Sequence, residues 1–235
     1  MPKVAIVAAL EREVAAFISR CRRVEREHEG RRFAFFEQDE SVVVCGGIGV
    51  EAARRAAEAV IALYRPARVE SVGFAGALDR SLRVGDLFTP SAVIDARDGS
   101  RVFVAGTDSR KSLVTFMSVA GAQKKRYLAE AFKAQAVDME AAAVAVAAVA
   151  HGIDFAATKV ISDELDFELP GMDRFIDLRG QFRTAAFAAF VALRPWLWIR
   201  VVQLGRNSRK AARALGLHLE RLGREQPVPV EATTT

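Results

Sequence analysis

Residues Ala136 to Glu164 read AVDMEAAAVAVAAVAHGIDFAATKVISDE, and their order of strand, helix and strand decides the fold class. Ala136 to Met139 is a short apolar run closed by Glu140, and Ala141 to Ala150 holds only Ala and Val. His151-Gly152 ends that helix, because Gly takes up the left-handed cap position without strain. Phe155 to Ile161 reads as a second buried strand, ending at Ser162-Asp163. A helix apolar on every side is expected to be covered on every side. Glu140 and Asp163 are thereby expected at the carboxyl ends of two neighbouring strands, inside a core. Ligands of open α/β sheets bind at that edge. A buried acid costs several kcal/mol unless it is paired or protonated, so two of them together call for an explanation.

Upstream, Lys3 to Ala8 reads as a buried strand leading into a helix that opens at Leu10-Glu11-Arg12-Glu13-Val14 and runs to about Arg20. Acids suit a helix N-terminus on dipole grounds alone, which accounts for Glu11. Glu13 stands out as a third carboxylate at the same sheet edge. Arg32 to Gln38 and Ser41 to Cys45 read as a hairpin turning at Asp39-Glu40. Gly46-Gly47-Ile48-Gly49 then precedes a helix from about Glu51 to Tyr64; it lacks the GxGxxG pattern, so tight-turn geometry and ligand contact are equal readings. Val69 to Phe74 is a strand, followed by Ala75-Gly76-Ala77-Leu78. Leu82 to Ala96 reads as a turn and a strand, Gly106 to Lys111 as a polar loop, Leu113 to Val119 as a strand, and Gln123 to Ala134 as a helix. Alternating strands and helices interrupted by hairpins give an α/β fold, a three-layer sandwich around a central mixed β-sheet.

Beyond Asp163, ELDFELPGMDRF is an acidic stretch that reads as a rim or as a solvated connector. Arg183 to Leu193 is an apolar helix stopped at Arg194-Pro195. A second helix, mixing Trp, Leu and Val with arginines, follows, and Gln226 to Thr235 reads as a disordered end. The expected division is residues 1–195 as a catalytic domain and 196–235 as a basic, Trp-containing appendage.

The composition narrows the function classes. At 235 residues and 51% hydrophobic content the chain can build a sizeable core. Its net charge of +5 is concentrated between Arg200 and Arg224, where seven Lys and Arg face one Glu, which argues against a nucleic-acid-binding body. Cys21 and Cys45 have no metal-ligand or redox spacing. No segment reads as a signal peptide or a membrane span, so a cytoplasmic location is expected.

The three histidines, His28, His151 and His218, fall outside any triad-like context, and nothing favours a serine or cysteine nucleophile. No spacing favours a metal, and no cofactor is expected. Acids without metal or nucleophile suit cleavage through a sugar oxocarbenium ion. One acid protonates the leaving group, a second carboxylate steadies positive charge or holds ribose hydroxyls, and a third orients water. Helix capping, or pairing with buried arginines, explains the same acids equally well.

The motifs VAIVAALEREV, GGIGVEAA, SVGFAGALDRSLRVGDLF, AVDMEAAAVA and TKVISDE, in this order over residues 3 to 190, resemble those of the nucleoside phosphorylase superfamily. The resemblance is greatest to methylthioadenosine/S-adenosylhomocysteine nucleosidases. It implies cleavage of a purine N-glycosidic bond in an α/β protein that forms dimers or larger oligomers. It also implies that Asp163 is the general acid at purine N7, aided by Ser162. Glu140 would bind the ribose hydroxyls with Met139 beneath the sugar, and Glu13 would orient water. Phe74, Gly76 and Lys159 complete the expected substrate-binding set, although Phe74 replaces a serine of those nucleosidases and Lys159 an arginine. The segment between Ala96 and Leu113 is shorter than theirs, and Val119 and Ala120 fall near the place of a base-stacking Phe.

The leading expectation is a hydrolase acting on a purine nucleoside with a bulky 5′ substituent. A phosphorylase, with phosphate as co-substrate, is the alternative. The tail resembles that of hopanoid-associated phosphorylases, which act on an adenosyl lipid. A helix with Trp196, Trp198, Ile199 and Leu204 beside Arg200, Arg206, Arg209 and Lys210 could lie on an anionic membrane, or dock on the protein's own core or a partner subunit. A catalytically silent nucleoside-binding protein is the third reading.

Overall fold

The first strand, Val4–Ala8 (β1), alternates its side chains between two buried faces, Ala5 and Val7 towards one and Ile6 and Ala8 towards the other. The computed structural model that shows this describes residues 3–104, 110–169, 171–177 and 180–222. Residues 106–109 of the expected polar loop and the expected disordered end, 226–235, lie outside the described residues.

Helix α1 (Glu11–Ile18) packs Val14, Phe17 and Ile18 inwards. Strands β2 (Arg22–His28), β3 (Arg31–Gln38) and β4 (Ser41–Cys45) form an antiparallel meander, and β4 runs parallel to β1. The hairpin read from the sequence is β3–β4. The polar β2 is an addition to it, at the edge of the sheet, where charged side chains discourage pairing with other chains. After α2 (Val50–Tyr64) comes the ten-residue β5 (Arg68–Ala77), longer than the expected Val69–Phe74.

The stretch read as one strand to Ala96 is broken at Thr89-Pro90 into β6 (Leu87–Phe88) and β7 (Ala92–Asp95), since Pro cannot donate to a ladder. Strands β8 (Arg101–Phe103) and β9 (Ser112–Thr115) flank β7. Then follow α3 (Ala122–Phe132), β10 (Ala136–Asp138), α4 (Ala141–Ala150), β11 (Asp154–Asp163), α5 (Thr184–Ala192) and α6 (Trp198–Leu222).

Strand β5 is the hub. On one edge its first half pairs with β1 in parallel, Val4 to Val7 opposite Arg68 to Ser71, and its end pairs with β10 antiparallel, Ala77 opposite Ala136. Its other edge carries β11 in parallel along the whole length. The sheet therefore forks between β1 and β10. Gly73 lies at this fork with φ +149°, and a Cβ there would stand 2.8 Å from Glu13 Oε2. Glu140 and Asp163 do not follow neighbouring strands as expected, because β5 stands between β10 and β11.

Helices α2 and α4 cover one face of the sheet, α1 and the far half of α6 the other, which gives the three-layer α/β sandwich with a mixed sheet. The expectation for α4 needs one correction. Seven of its residues are buried, but Val146 and Val149 are exposed, because nothing within the single chain lies over that side. In α6, Ala211, Leu215 and Leu219 are buried with Val14, Phe17 and Ile18 of α1. No helix among the described residues is long and apolar enough to cross a membrane.

Candidate active site

Where the sheet forks, a cavity of about 380 Å³ opens. Its wall includes Glu13 from α1, Phe74 and Gly76 from β5, Met139 and Glu140 after β10, and Ser162 and Asp163 from the end of β11. Seven of the eight residues singled out in the sequence thus line one hollow, carried there by remote parts of the chain. Val119 and Ala120 line it too, as do Phe167 to Leu169 and Met172 to Asp173 of the acidic stretch, which is a rim and not a free connector. Asp173 fixes that rim by accepting from the Val119 N–H at 2.7 Å.

The eighth residue, Lys159, does not reach the cavity. Its ammonium lies behind the wall, 2.9 Å from Asp138 Oδ2 and donating to Ser71 Oγ at 3.0 Å. Asp138 also accepts from Thr115 Oγ1 at 2.6 Å and from the Ala141 N–H at 2.8 Å, so its carboxylate anchors the start of α4. Burial on its own would lower Lys159; Asp138, then Glu140, outweigh it and hold the ammonium above its usual range.

Glu140 is positioned by backbone. Its Oε1 accepts from the Gly49 N–H at 2.8 Å and its Oε2 from the Met139 N–H at 3.2 Å. The glycine turn serves this geometry and offers no free cradle. Its other N–H groups are also engaged, Gly46 to Ala8 O, Gly47 to Ala9 O and Ile48 to Gly180 O. Burial, and then the charge of Asp138, raise Glu140 above the ordinary carboxyl range.

Glu13 is the least satisfied group. It is 6% exposed, and Oε2 has no hydrogen-bond partner among the described residues. Burial foremost, with Glu140 adding, pushes its carboxyl up to about 8. A buried polar atom without a partner inside a cavity signals a missing ligand or water. Three carboxyl groups around one lysine also leave this end of the hollow suited to a positive charge that develops during reaction.

Asp163 is aimed by an irregularity in its strand. The register of β11 against β5 shifts between Ile161 and Asp163, and such bulges re-aim side chains beside functional sites. Its Oδ1 accepts from Ser162 Oγ at 2.7 Å. Its Oδ2 accepts from Lys125 Nζ, a residue the sequence reading missed, which is 1% exposed and lines the same cavity.

The sequence matches the phosphorylase superfamily over residues 3–118 and 102–193. The chain belongs to this superfamily. Its architecture is similar to that of a Helicobacter pylori MTAN mutant with 5′-methylthioadenosine in the active site, at 17% identity and TM-score 0.70 over 96% of this chain and 100% of that one. A Neisseria meningitidis 5′-methylthioadenosine/S-adenosylhomocysteine nucleosidase in complex with methylthio-immucillin-A gives 16% identity and TM-score 0.70, over 96% and 100%. A futalosine hydrolase from Helicobacter pylori gives 17% identity and TM-score 0.65, over 94% and 98%. No curated protein matches the chain in sequence. The α/β class expected from the sequence and the fold of nucleosidase and nucleoside phosphorylase enzymes agree here with the family assignment.

Proposed function

We propose that the protein hydrolyses the N-glycosidic bond of a purine nucleoside, of the 5′-modified adenosine type. The observation that carries the reading is the convergence of Glu13, Glu140 and Asp163 on one cavity of nucleoside scale. In this reading Glu140 accepts from the ribose hydroxyls, held by Gly49 and Met139, and Met139 packs beneath the sugar. Asp163 faces the base and mediates protonation of its leaving nitrogen. Glu13 holds the attacking water on the free Oε2. Phe74 and Gly76 complete the wall, and Lys159 acts from behind through Asp138.

Water is favoured over phosphate as acceptor. A phosphate dianion needs cations or free N–H groups, and here the glycine turn's N–H groups are engaged and Lys159 is tied to Asp138 and Ser71. The test is adenine release from methylthioadenosine, S-adenosylhomocysteine and adenosine, with and without phosphate. Release independent of phosphate is expected. Release that requires phosphate would make the enzyme a phosphorylase, and no release from any of the three would remove the reading.

A second reading concerns the surface. The expected docking of the tail on its own core holds for the far half of α6 only. Near its start, Leu193, Trp196 and Ile199 are 78%, 71% and 81% exposed, with Arg200 and Arg206 beside them, and α5 has no buried residue. Exposed apolar groups among cations suit an anionic membrane surface. The uncovered Val146 and Val149 of α4, with exposed Phe103 on the adjoining β8, are assigned to a homodimer contact. Removing residues 196–235 would strip Leu215 and Leu219 from the core, so point changes make the cleaner test. In co-sedimentation with phosphatidylglycerol vesicles, Ile199→Glu should lose binding and Val149→Glu should keep it, while losing the dimer in sedimentation equilibrium. Equal vesicle binding by Ile199→Glu and the unchanged chain would end the membrane reading.

A further inference from the structure

Lys125 is a buried lysine inside the cavity, and the acids that defined the site do not explain it. It sits in the first turn of α3, between Lys124 and Arg126, which are both exposed. Its ammonium donates to Asp163 Oδ2 and to the Glu164 carbonyl at 2.7 Å. An ammonium has three N–H donors, so one has no partner in the described protein, on a residue that lines the cavity. Gly76 leaves room for this arrangement. A Cβ there would stand 3.0 Å from Asp163 Oδ2 and 3.1 Å from Lys125 Cε.

The bonds at Asp163 point the same way. Oδ1 accepts from Ser162 and Oδ2 from Lys125, so each oxygen already has a donor. A carboxylate held like this is an acceptor, and the mobile proton nearest the base lies on nitrogen. We propose that Lys125 is a catalytic residue of this site, the source of the proton that Asp163's neighbourhood delivers to the departing purine. This rests on the hydrolase reading above. As C1′–N9 breaks, its electron pair passes to the base, and N7 takes a proton from Lys125 Nζ, either directly or through Asp163 Oδ2. Water supplies oxygen to C1′, and its released proton passes to Glu13 or solvent. Lys125 then regains a proton from solvent. The products are free base and ribose moiety, with no further reactant needed.

The test compares two substrates and two variants. A purine nucleoside needs a proton on its leaving base; an N7-methylated purine nucleoside already carries a positive base and needs none. Lys125→Met is expected to lower kcat on the first about 10²–10³-fold, the range for loss of a general acid, and to leave the second within about tenfold. Lys125→Arg keeps the charge and the pairing with Asp163 but cannot give up a proton, so it should not recover the first substrate. Recovery by Arg would make Lys125 a positioning residue and overturn the proposal. Equal loss on both substrates by Lys125→Met would overturn it as well. If the unchanged chain cleaved neither nucleoside, the hydrolase reading itself would fall, and this one with it.

Discussion

Asp163→Asn is expected to abolish measurable base release, with kcat/KM down by about 10²–10⁴-fold, while the far-UV circular dichroism of the fold is kept. The amide can retain the local bonds. Its oxygen can accept from Lys125 and its NH2 can donate to Ser162 Oγ, which already reaches towards the Ala75 carbonyl at 3.4 Å. What the amide cannot replace is the negative charge. Lys125 is 1% exposed and Asp163 is its only anionic partner among the described residues, so the variant buries an ammonium with no counter-charge. That should cost about 1–3 kcal/mol, less than a fully buried pair because the Asp163 side chain remains 22% exposed. Adding Lys125→Met should recover much of the melting temperature and none of the activity. Normal base release by Asp163→Asn would remove Asp163 from the chemistry. An unchanged melting temperature would remove the ion pair from the stability account.

How much of this was legible in sequence follows from what each segment displays locally. The Ala and Val run of α4 can only be a packed helix, and the carboxylates ending β10 and β11 stand out because acids rarely end buried strands. The cavity's acidic half was therefore readable. Lys125 was not, since Lys124-Lys125-Arg126 has the look of a solvated face, and only the angle at which α3 meets the end of β11 buries the middle one. The fork of the sheet was equally hidden. Nothing in Arg68–Ala77 says that one strand changes partner half-way, and its two glycines read as the end of a strand where they in fact give Glu13 and the Lys125–Asp163 pair their room. Strand β2 was missed because Arg22–His28 has almost no apolar alternation; it is held by pairing with β3 rather than by a buried face. Lys159 was placed in the pocket by analogy with an arginine, but its shorter reach is taken up by Asp138.

Glu13→Gln should give the opposite signature to Asp163→Asn, a more stable protein that turns over poorly. In the folded chain burial raises Glu13 from 4.5 to about 8. Between those values the unfolded chain has lost the proton and the folded one keeps it. The unfolded state binds fewer protons there, so stability falls as pH rises from 4.5 to about 8 and levels off above it. A glutamine never ionises, and it can fill the same space without that penalty. At pH 8 the variant should exceed the unchanged protein by on the order of 2–4 kcal/mol, and its melting temperature should fall less between the two pH values. The slope left over belongs to Glu140, raised by the same burial. Activity should move the other way. Water is held best by the ionised form, so kcat/KM of the unchanged enzyme should climb as pH rises towards 8, and the Gln variant should lose both the climb and about 10²-fold in rate. An enzyme keeps an unsatisfied acid in its core only where a ligand completes it. If Glu13→Gln melted below the unchanged chain at pH 8, Glu13 would be a structural partner and the water would have to be held elsewhere.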